Sequence, residues 1–340
     1  AYPELAREWE AWHGEQDAKA LLNEASLWES SGKSEATRAS SGTMINRLAK
    51  LIPNLVGGSA DLAPSNKTNI SGGGDYSAEN RAGRNLHFGV REHAMAAITN
   101  GIALHGGLKV FCATFFVFTD YMKAAMRLSA IMKLPVIYVL THDSIGVGED
   151  GATHQPIEHL TALRATPGMQ VIRPCDYRET VTGWITALTS NAPTSLVLTR
   201  QNLPQYSGKA EDMARGGYVL SPADSQPKAI LMASGSEVSL AMEAQKALRA
   251  EGIETQVVSM PCMELFLRQD KAYQEHVLPG ACRARVAIEA GATMPWYRFT
   301  GLDGKVIGLD DYGASAPQEI LYKEFGLTAE HLAEAVKLLL

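Results

Sequence analysis

The residues best suited to chemistry lie in one glycine-rich loop. Positions 141–156 hold two histidines, three acidic side chains and three glycines. Imidazole and carboxylate groups offer hydrogen-bond donors and acceptors, which suits a ligand rich in hydroxyl groups. We therefore predict that His142, Asp150 and His154 bind substrate. A metal site built from the same three side chains is the weaker alternative because no helical pair of histidines is present, and a surface loop without function is another.

A second candidate is Glu92, which opens an apolar helical segment. A carboxylate in the first turn of a helix often does no more than stabilise the helix dipole. The functional alternative is a carboxyl group in an apolar pocket that shares its proton with a basic nitrogen of a ligand. That arrangement suits acid and base catalysis.

An aromatic series and three scattered polar residues complete the set. Phe115, Phe118 and Tyr121 recur every three residues, so on a helix they form one stripe. Such a stripe usually packs in the core, and the alternative is a platform for a flat cofactor. Arg38, Ser65 and Arg200 read individually as surface residues, although an arginine fork suits a phosphate group.

The elements that must position these residues alternate between short apolar strands and helical segments. This pattern predicts mostly parallel sheets flanked by helices, and ligands bind beyond the carboxyl ends of such strands. The predicted strand at 135–141 leads directly into the polar loop. Periodicity is lost between 201 and 217, so we predict two α/β domains. The expected divisions are a linker segment at 1–33, a domain at 34–205, a linker at 206–217 and a domain at 218–340.

Composition excludes several classes of protein. The 340 residues carry a net charge of −6, which provides no cationic field for nucleic acid. The apolar runs are far shorter than the roughly 20 residues that cross a bilayer, so no membrane partner is expected. The four cysteines are dispersed, which argues against a zinc site or a disulfide framework and favours a reduced, cytoplasmic protein.

Taken together, the candidate segments closely resemble the transketolase family. The matching strings are G-G-S-A-D-L at 57–62 with P-S-N at 64–66, G-V-R-E-H-A-M at 89–95, T-H-D-S-I-G-V-G-E-D-G at 141–151 with H-Q-P at 154–156, and R-Q-N-L at 200–203. They occur in the family's order. One small difference is Ala152, where the family usually has proline.

The resemblance implies a pyrimidine-binding domain of a thiamine-diphosphate enzyme at 34–205 and a transketolase C-terminal domain at 218–340. The implied activity is the transfer of a two-carbon ketol unit from a ketose phosphate to an aldose phosphate, as in the pentose phosphate pathway. The catalytic residues would be Glu92, which hydrogen-bonds the aminopyrimidine ring, and His154, near the reacting carbons.

The same resemblance implies roles for the other candidates. Asp61 would lie close to the cofactor, whose pyrimidine ring would sit in an aromatic pocket of Phe115, Phe118 and Tyr121. His142 and Asp150 would bind sugar hydroxyls. The substrate phosphate would be held by Arg38, Ser65 and Arg200.

One family signature does not occur in this sequence. The family holds the diphosphate and its divalent metal, Mg or Ca, with a G-D-G string followed by an asparagine pair. We therefore expect no metal ligand here, and a pyrophosphate-binding domain on a separate polypeptide or chain fragment. The expected assembly is dimer-like, with two copies of each part, and the start at Ala1 without Met fits a natural subunit or a chain break.

Three other interpretations remain open. Dihydroxyacetone synthase uses the same loop with formaldehyde as the acceptor. The β-subunit of a 2-oxo-acid dehydrogenase has a similar two-domain plan but lacks the two-histidine loop. A regulatory or scaffolding fragment would be free to lose its cofactor-facing residues, whereas here Glu92, Phe118 and His142 are intact.

Overall fold

The computed structural model describes residues 2–340, whose first half contains a six-stranded parallel sheet. Its strands are β1 Leu55–Ser59, β2 Asn85–His87, β3 Lys109–Phe115, β4 Ile137–Thr141, β5 Gln170–Ile172 and β6 Thr194–Leu198. The spatial order is β2-β1-β3-β4-β6-β5, with every neighbouring pair parallel. Every residue of β4 is buried, as expected for a strand covered on both faces.

Helices cover both faces of this sheet and enclose two apolar cores. They are α1 Pro3–His13, α2 Ala18–Leu22, α3 Ala25–Trp28, α4 Thr37–Leu51, α5 Ala63–Asn66, α6 Glu92–His105, α7 Thr119–Ile131, α8 His159–Arg164, α9 Tyr177–Thr189 and α10 Ala210–Met213. The neighbours of β1 approach it closely because it contains two glycines. A Cβ on Gly58 would lie 1.8 Å from the carbonyl oxygen of Leu86.

The second sheet has five strands and its own helices. The strands are β7 Tyr218–Ser221, β8 Ala229–Ala233, β9 Thr255–Ser259, β10 Arg285–Ile288 and β11 Lys305–Ile307, in the order β11-β10-β8-β9-β7 with only β7 antiparallel. The helices are α11 Val238–Ala250, α12 Met263–Leu267, α13 Lys271–Val277, α14 Tyr297–Thr300, α15 Gln318–Glu324 and α16 Ala329–Lys337. The predicted fold class, two mostly parallel sheets flanked by helices, is confirmed.

The segment at 1–33, predicted as a linker, contains three short helices. Leu21 of α2 and Leu27 of α3 are buried in the core beside the first sheet, so these two helices pack as part of that layer, whereas α1 buries no residue. The predicted domain boundaries stay predictions. No helix among residues 2–340 combines the length and apolar character needed to cross a bilayer.

Candidate active site

The first sheet gathers most candidate residues at the carboxyl ends of its strands. Asp61 follows β1, Glu92 follows β2 and Phe118 follows β3, while His142 follows β4 and Arg200 follows β6. Because parallel strands end at one edge and neighbours lie about 4.8 Å apart, these residues line one continuous edge. We call its two parts the β1–β2 side and the β4–β6 side, with β3 between them.

Arg38 reaches the same edge from the first turn of α4. The backbone N–H of Thr37 donates to Oγ1 of Thr199, just beyond β6, at 3.0 Å. The Oγ1 of Thr37 accepts from the backbone N–H of Thr199 at 2.8 Å. These reciprocal bonds fix the start of α4 against the end of β6, which places Arg38 beside the β4–β6 side.

Hydrogen bonds define the tautomer of His142. The hydroxyl of Thr141 donates its one proton to Oδ1 of Asn66 at 2.7 Å. That hydroxyl must therefore accept from Nδ1 of His142, which lies 2.8 Å away. Nε2 is left as an acceptor and faces Nη1 of Arg38 at 3.3 Å.

The same surroundings keep the imidazole neutral. Burial, followed by the charges of Arg38, Arg200 and His154, lowers the pKa of His142 to about 3. The ring also stacks on Phe115 with 3.6 Å between centroids. Its backbone φ of 62° lies in the left-handed region that a residue with a side chain rarely adopts. The position is thus held by contacts on several sides.

The aromatic residues form a ladder of rings, but not on one helix as the sequence predicted. Phe115 ends β3, Phe118 lies in a single 3₁₀ turn, and Tyr121 belongs to α7. Ring centroids lie 6.0 Å apart for the first pair and 6.3 Å apart for the second. Phe118 also meets the ring of His154 edge to face at 5.6 Å. The ladder therefore links the strand edge to the polar loop.

The two arginines on the β4–β6 side have no acidic partner among residues 2–340. Arg38 donates to the carbonyl oxygen of Ser65 at 3.0 Å, and Arg200 donates to the carbonyl oxygen of Val147 at 3.1 Å. Burial and the nearby charge of Arg200 lower the pKa of Arg38. Two guanidinium groups without a carboxylate between them suit a bound anion.

Ser65, Asp150 and His154 differ in how firmly they are held. The hydroxyl of Ser65 and the carboxylate of Asp150 make no hydrogen bond within residues 2–340, and Asp150 is exposed. Nδ1 of His154 lies 2.9 Å from Oγ1 of Thr153. The Ser65 hydroxyl and the Asp150 carboxylate therefore keep polar atoms free for a ligand, and His154 lies against Phe118.

The β1–β2 side is more open. Glu92 is buried at 8% exposure, and its carboxylate has no hydrogen-bond partner among the described residues. Asp61 is exposed, has a φ of 60°, and lines a cavity of about 310 Å³ together with Gly89. A mostly buried acid whose oxygens are unpartnered yet still accessible fits a ligand nitrogen that would complete its hydrogen bond.

Within residues 2–340, His142, Asp150 and His154 do not form a group with metal-coordination distances. One such group is Asp120, Glu158 and His159. There Nε2 of His159 faces Asp120 at 3.3 Å and Nδ1 faces Glu158 at 3.7 Å. None of these three residues belongs to the candidates of the sequence analysis.

The sequence analysis missed two residues that hold His142 in place. Asn66 and Thr141 are both buried, and Asn66 also donates to the hydroxyl of Ser59 at 3.1 Å. Both lie inside the family-like strings at 64–66 and 141–151. Their membership of those strings was the available signal, because nothing in their spacing indicates contact across 75 residues.

The two α/β domains have mostly parallel sheets, and the first carries a buried acid, a ring ladder and paired arginines at its strand ends. This is the layout that the sequence resemblance implies for the pyrimidine-binding and C-terminal domains of a thiamine-diphosphate enzyme. The family models agree. "Transketolase, pyrimidine binding domain" matches residues 33–205, and "Transketolase-like TK C-terminal domain" matches residues 216–328. The chain belongs to the transketolase family.

Individual relatives give the same result. The transketolase of Halalkalibacterium halodurans is 53% identical over 100% of this chain and 52% of its own length. The structure of transketolase from Leishmania mexicana is 41% identical with a TM-score of 0.93, covering 99% of this chain and 50% of that one. The chain thus spans about half the length of these relatives.

A further similar structure has a comparable length. It is described as a split gene transketolase, an inactive beta4 tetramer. It is 25% identical with a TM-score of 0.70, covering 90% of this chain and 98% of that chain.

Proposed function

We propose that this chain supplies the pyrimidine-facing wall and the sugar-binding side of a transketolase active site, EC 2.2.1.1. The reaction is reversible transfer of a two-carbon ketol unit between sugar phosphates in the cytoplasm, as part of the pentose phosphate pathway. The observation that carries the proposal is the strand edge with an unpartnered Glu92 at one part and an acid-free arginine pair at the other.

Thiamine diphosphate, when bound, supplies the electron sink for cleavage next to a carbonyl. On the β1–β2 side, Glu92 holds a proton between its carboxylate and the pyrimidine ring, and Asp61 lines the adjoining cavity. Phe118 and Tyr121 offer ring faces to the flat heterocycle. Phe115 contributes indirectly because its ring packs on His142.

On the β4–β6 side, Arg38 and Arg200 bind the substrate phosphate, with the hydroxyl of Ser65 beside them. His142 is neutral, so it orients sugar hydroxyls by hydrogen bonding without adding charge. Asp150 accepts from further hydroxyls. His154, against the edge of Phe118, moves or holds a proton near the reacting carbons.

The proposal includes a partner that supplies the pyrophosphate-binding domain, and with it most ligands of the divalent metal. Exposed apolar side chains on α6 and α7 support such an assembly, since Ile98, Leu104, Leu128 and Ile131 all face outward. The similarity of this chain to the split gene transketolase structure adds support. The assembly would hold two copies of each part, a homodimer-like arrangement.

Reconstitution tests this function. The chain is assayed alone and with a polypeptide that carries the pyrophosphate-binding half of a transketolase, with thiamine diphosphate and Mg or Ca. We expect ketol transfer to ribose 5-phosphate only in the mixture. Full activity of the isolated chain would refute the partner requirement. A stable complex without transfer would favour a scaffolding role, and transfer to formaldehyde alone would favour dihydroxyacetone synthase.

A further inference from the structure

The second domain contacts the loop that carries His142, Asp150 and His154 at its start and at residues 148–155, and it also contacts α8, the helix that follows the loop. None of the three contacts belongs to the strand edge described above. They join groups of the first domain to acids, hydroxyls and carbonyls that follow strands β8, β10 and β11.

At the start of the loop, Asp143 directly follows His142 and is 1% exposed. Its Oδ2 accepts from Nε and Nη2 of Arg173 at 2.9 and 2.8 Å. Nη1 of Arg173 donates to the carbonyl oxygen of Ser234 at 2.8 Å and to Glu237 at 2.5 Å. One fully buried guanidinium therefore bridges the residue after His142 to the second domain.

Near the end of the loop, the amide of Gln155 bridges both domains. Nε2 donates to the carbonyl oxygens of Gly148 and Ala314, each at 2.9 Å. The space for this amide exists because residue 313 is glycine, since a Cβ there would lie 1.9 Å from Oε1 of Gln155. The hydroxyl of Ser315 donates to the carbonyl oxygen of Glu149, beside Asp150.

Beyond the loop, the chain continues into α8, whose last residue is Arg164. Nη1 and Nη2 of Arg164 donate to the two oxygens of Glu289 at 2.5 and 2.9 Å. Glu289 also accepts from Nε1 of Trp296 at 2.8 Å. Burial acts to raise the pKa of Glu289, but Arg164 and Arg173 outweigh it and lower the pKa to about 2.

The charged groups of Arg164 and Arg173 and of their carboxylate partners lie at the domain boundary and are almost fully buried. A buried ion pair contributes little net stability because desolvation offsets the attraction, although it fixes geometry strongly. Removing one partner leaves an uncompensated buried charge, so arrangements of the loop that separate these partners are disfavoured. The arrangement of these ion pairs is thus better suited to orienting the loop than to holding the domains together.

We propose that the second domain positions the substrate loop, with Arg173 and Gln155 as positioning residues for His142, Asp150 and His154. The proposal rests on the proposed function, because it takes this loop as the one that binds the sugar phosphate. Arg173→Met is a poor test because it would leave buried carboxylates unpaired and endanger folding.

Gly313→Ala is a sharper test because it changes only the second domain. The new methyl group displaces the Gln155 amide, and the φ of residue 313 is not in the left-handed region, so the backbone tolerates alanine. Gly280→Ala is the matched control. It is in the same domain, and its Cβ would lie 3.3 Å from Oε1 of the flexible Glu275 side chain.

Two measurements are made on each variant. In the isolated chain, amide hydrogen exchange over residues 144–155 should be about tenfold faster in Gly313→Ala and unchanged in Gly280→Ala. In the reconstituted enzyme, KM for the ketose phosphate should rise about fivefold or more while kcat changes less.

Equal exchange and equal KM in the two variants would overturn the positioning role. Faster exchange with an unchanged KM would also overturn it, because the contact would then serve structure alone. If the reconstituted wild-type enzyme transfers no ketol unit, the proposed function fails, and the exchange comparison still decides whether the second domain holds the loop.

Discussion

The two parts of the strand edge differ in how many of their polar side chains are hydrogen-bonded within this chain. On the β4–β6 side, His142 is buried, hydrogen-bonded at both nitrogens and stacked on a ring. On the β1–β2 side, Glu92 has no hydrogen-bond partner among residues 2–340, and Asp61 is exposed. Under the proposed function, the difference means that this chain would preorganise its substrate side, whereas its cofactor side would be completed by groups from another molecule.

The strongest test of the open side is Glu92→Gln in the reconstituted enzyme. The amide keeps the shape but cannot share a proton in the same way, so ketol transfer should fall by about a hundredfold or more. Initial rates with saturating cofactor measure the loss. Glu243→Gln, on an exposed position of α11, is the control and should leave the rate unchanged. A normal rate in Glu92→Gln would remove this residue from the mechanism.

His142 on the β4–β6 side predicts that the stability of the folded chain depends on pH. The pKa of His142 is depressed in the folded chain to about 3, against an ordinary value of 6.5. The unfolded chain therefore binds a proton that the folded chain refuses, and stability falls as pH drops below 6.5.

The variant His142→Gln removes this contribution. Between pH 7 and pH 5 the free energy of unfolding of the wild-type chain should fall by about 2 kcal/mol more than that of the variant. Urea unfolding at the two pH values measures the difference. Parallel pH dependence in the two proteins would mean that the imidazole titrates normally and that its surroundings are not closed.

The arginine pair offers a comparison within the β4–β6 side. Arg38→Lys keeps the charge but loses the fork that bonds Ser65 and faces His142, so kcat/KM for a ketose phosphate should fall about tenfold. Arg200→Lys, at an exposed position, should cost less. An unphosphorylated ketose is the control substrate, for which the loss should be smaller. Equal losses for both substrates would contradict the phosphate role.

The sequence predicts the buried strands well, but it predicts the exact ends of helices and the contacts between distant residues poorly. The apolar run before Thr141 identifies a buried strand, so the position of His142 at a strand end follows from local pattern. The three-residue spacing from Phe115 to Tyr121 is ambiguous, because a strand end, a 3₁₀ turn and a helix start can share it. A single helix that carried all three rings is therefore wrong, because α7 begins only at Thr119.

Contacts between distant residues leave no periodic trace. The strand β2 has only three residues, and its pairing with β1 depends on glycines that admit close approach. The bond between Arg173 and Glu237 joins positions 64 apart in two domains. Side chains of this kind read as ordinary surface charges until the fold brings them together.

The smallest expected effect is that of Tyr121→Ala on the free energy of unfolding, and it distinguishes the two sides directly. Tyr121 is 68% exposed and its hydroxyl makes no hydrogen bond within residues 2–340. Tyr121→Ala should therefore change the free energy of unfolding of the isolated chain by less than about 0.5 kcal/mol. Phe115→Ala, which removes the ring beneath His142, should cost more, about 1 to 3 kcal/mol. Urea unfolding of both variants measures the contrast. Tyr121→Ala could instead prove as costly as Phe115→Ala. The outer end of the ring ladder would then already be part of the folded core, which would contradict the proposal that the β1–β2 side is completed by a partner.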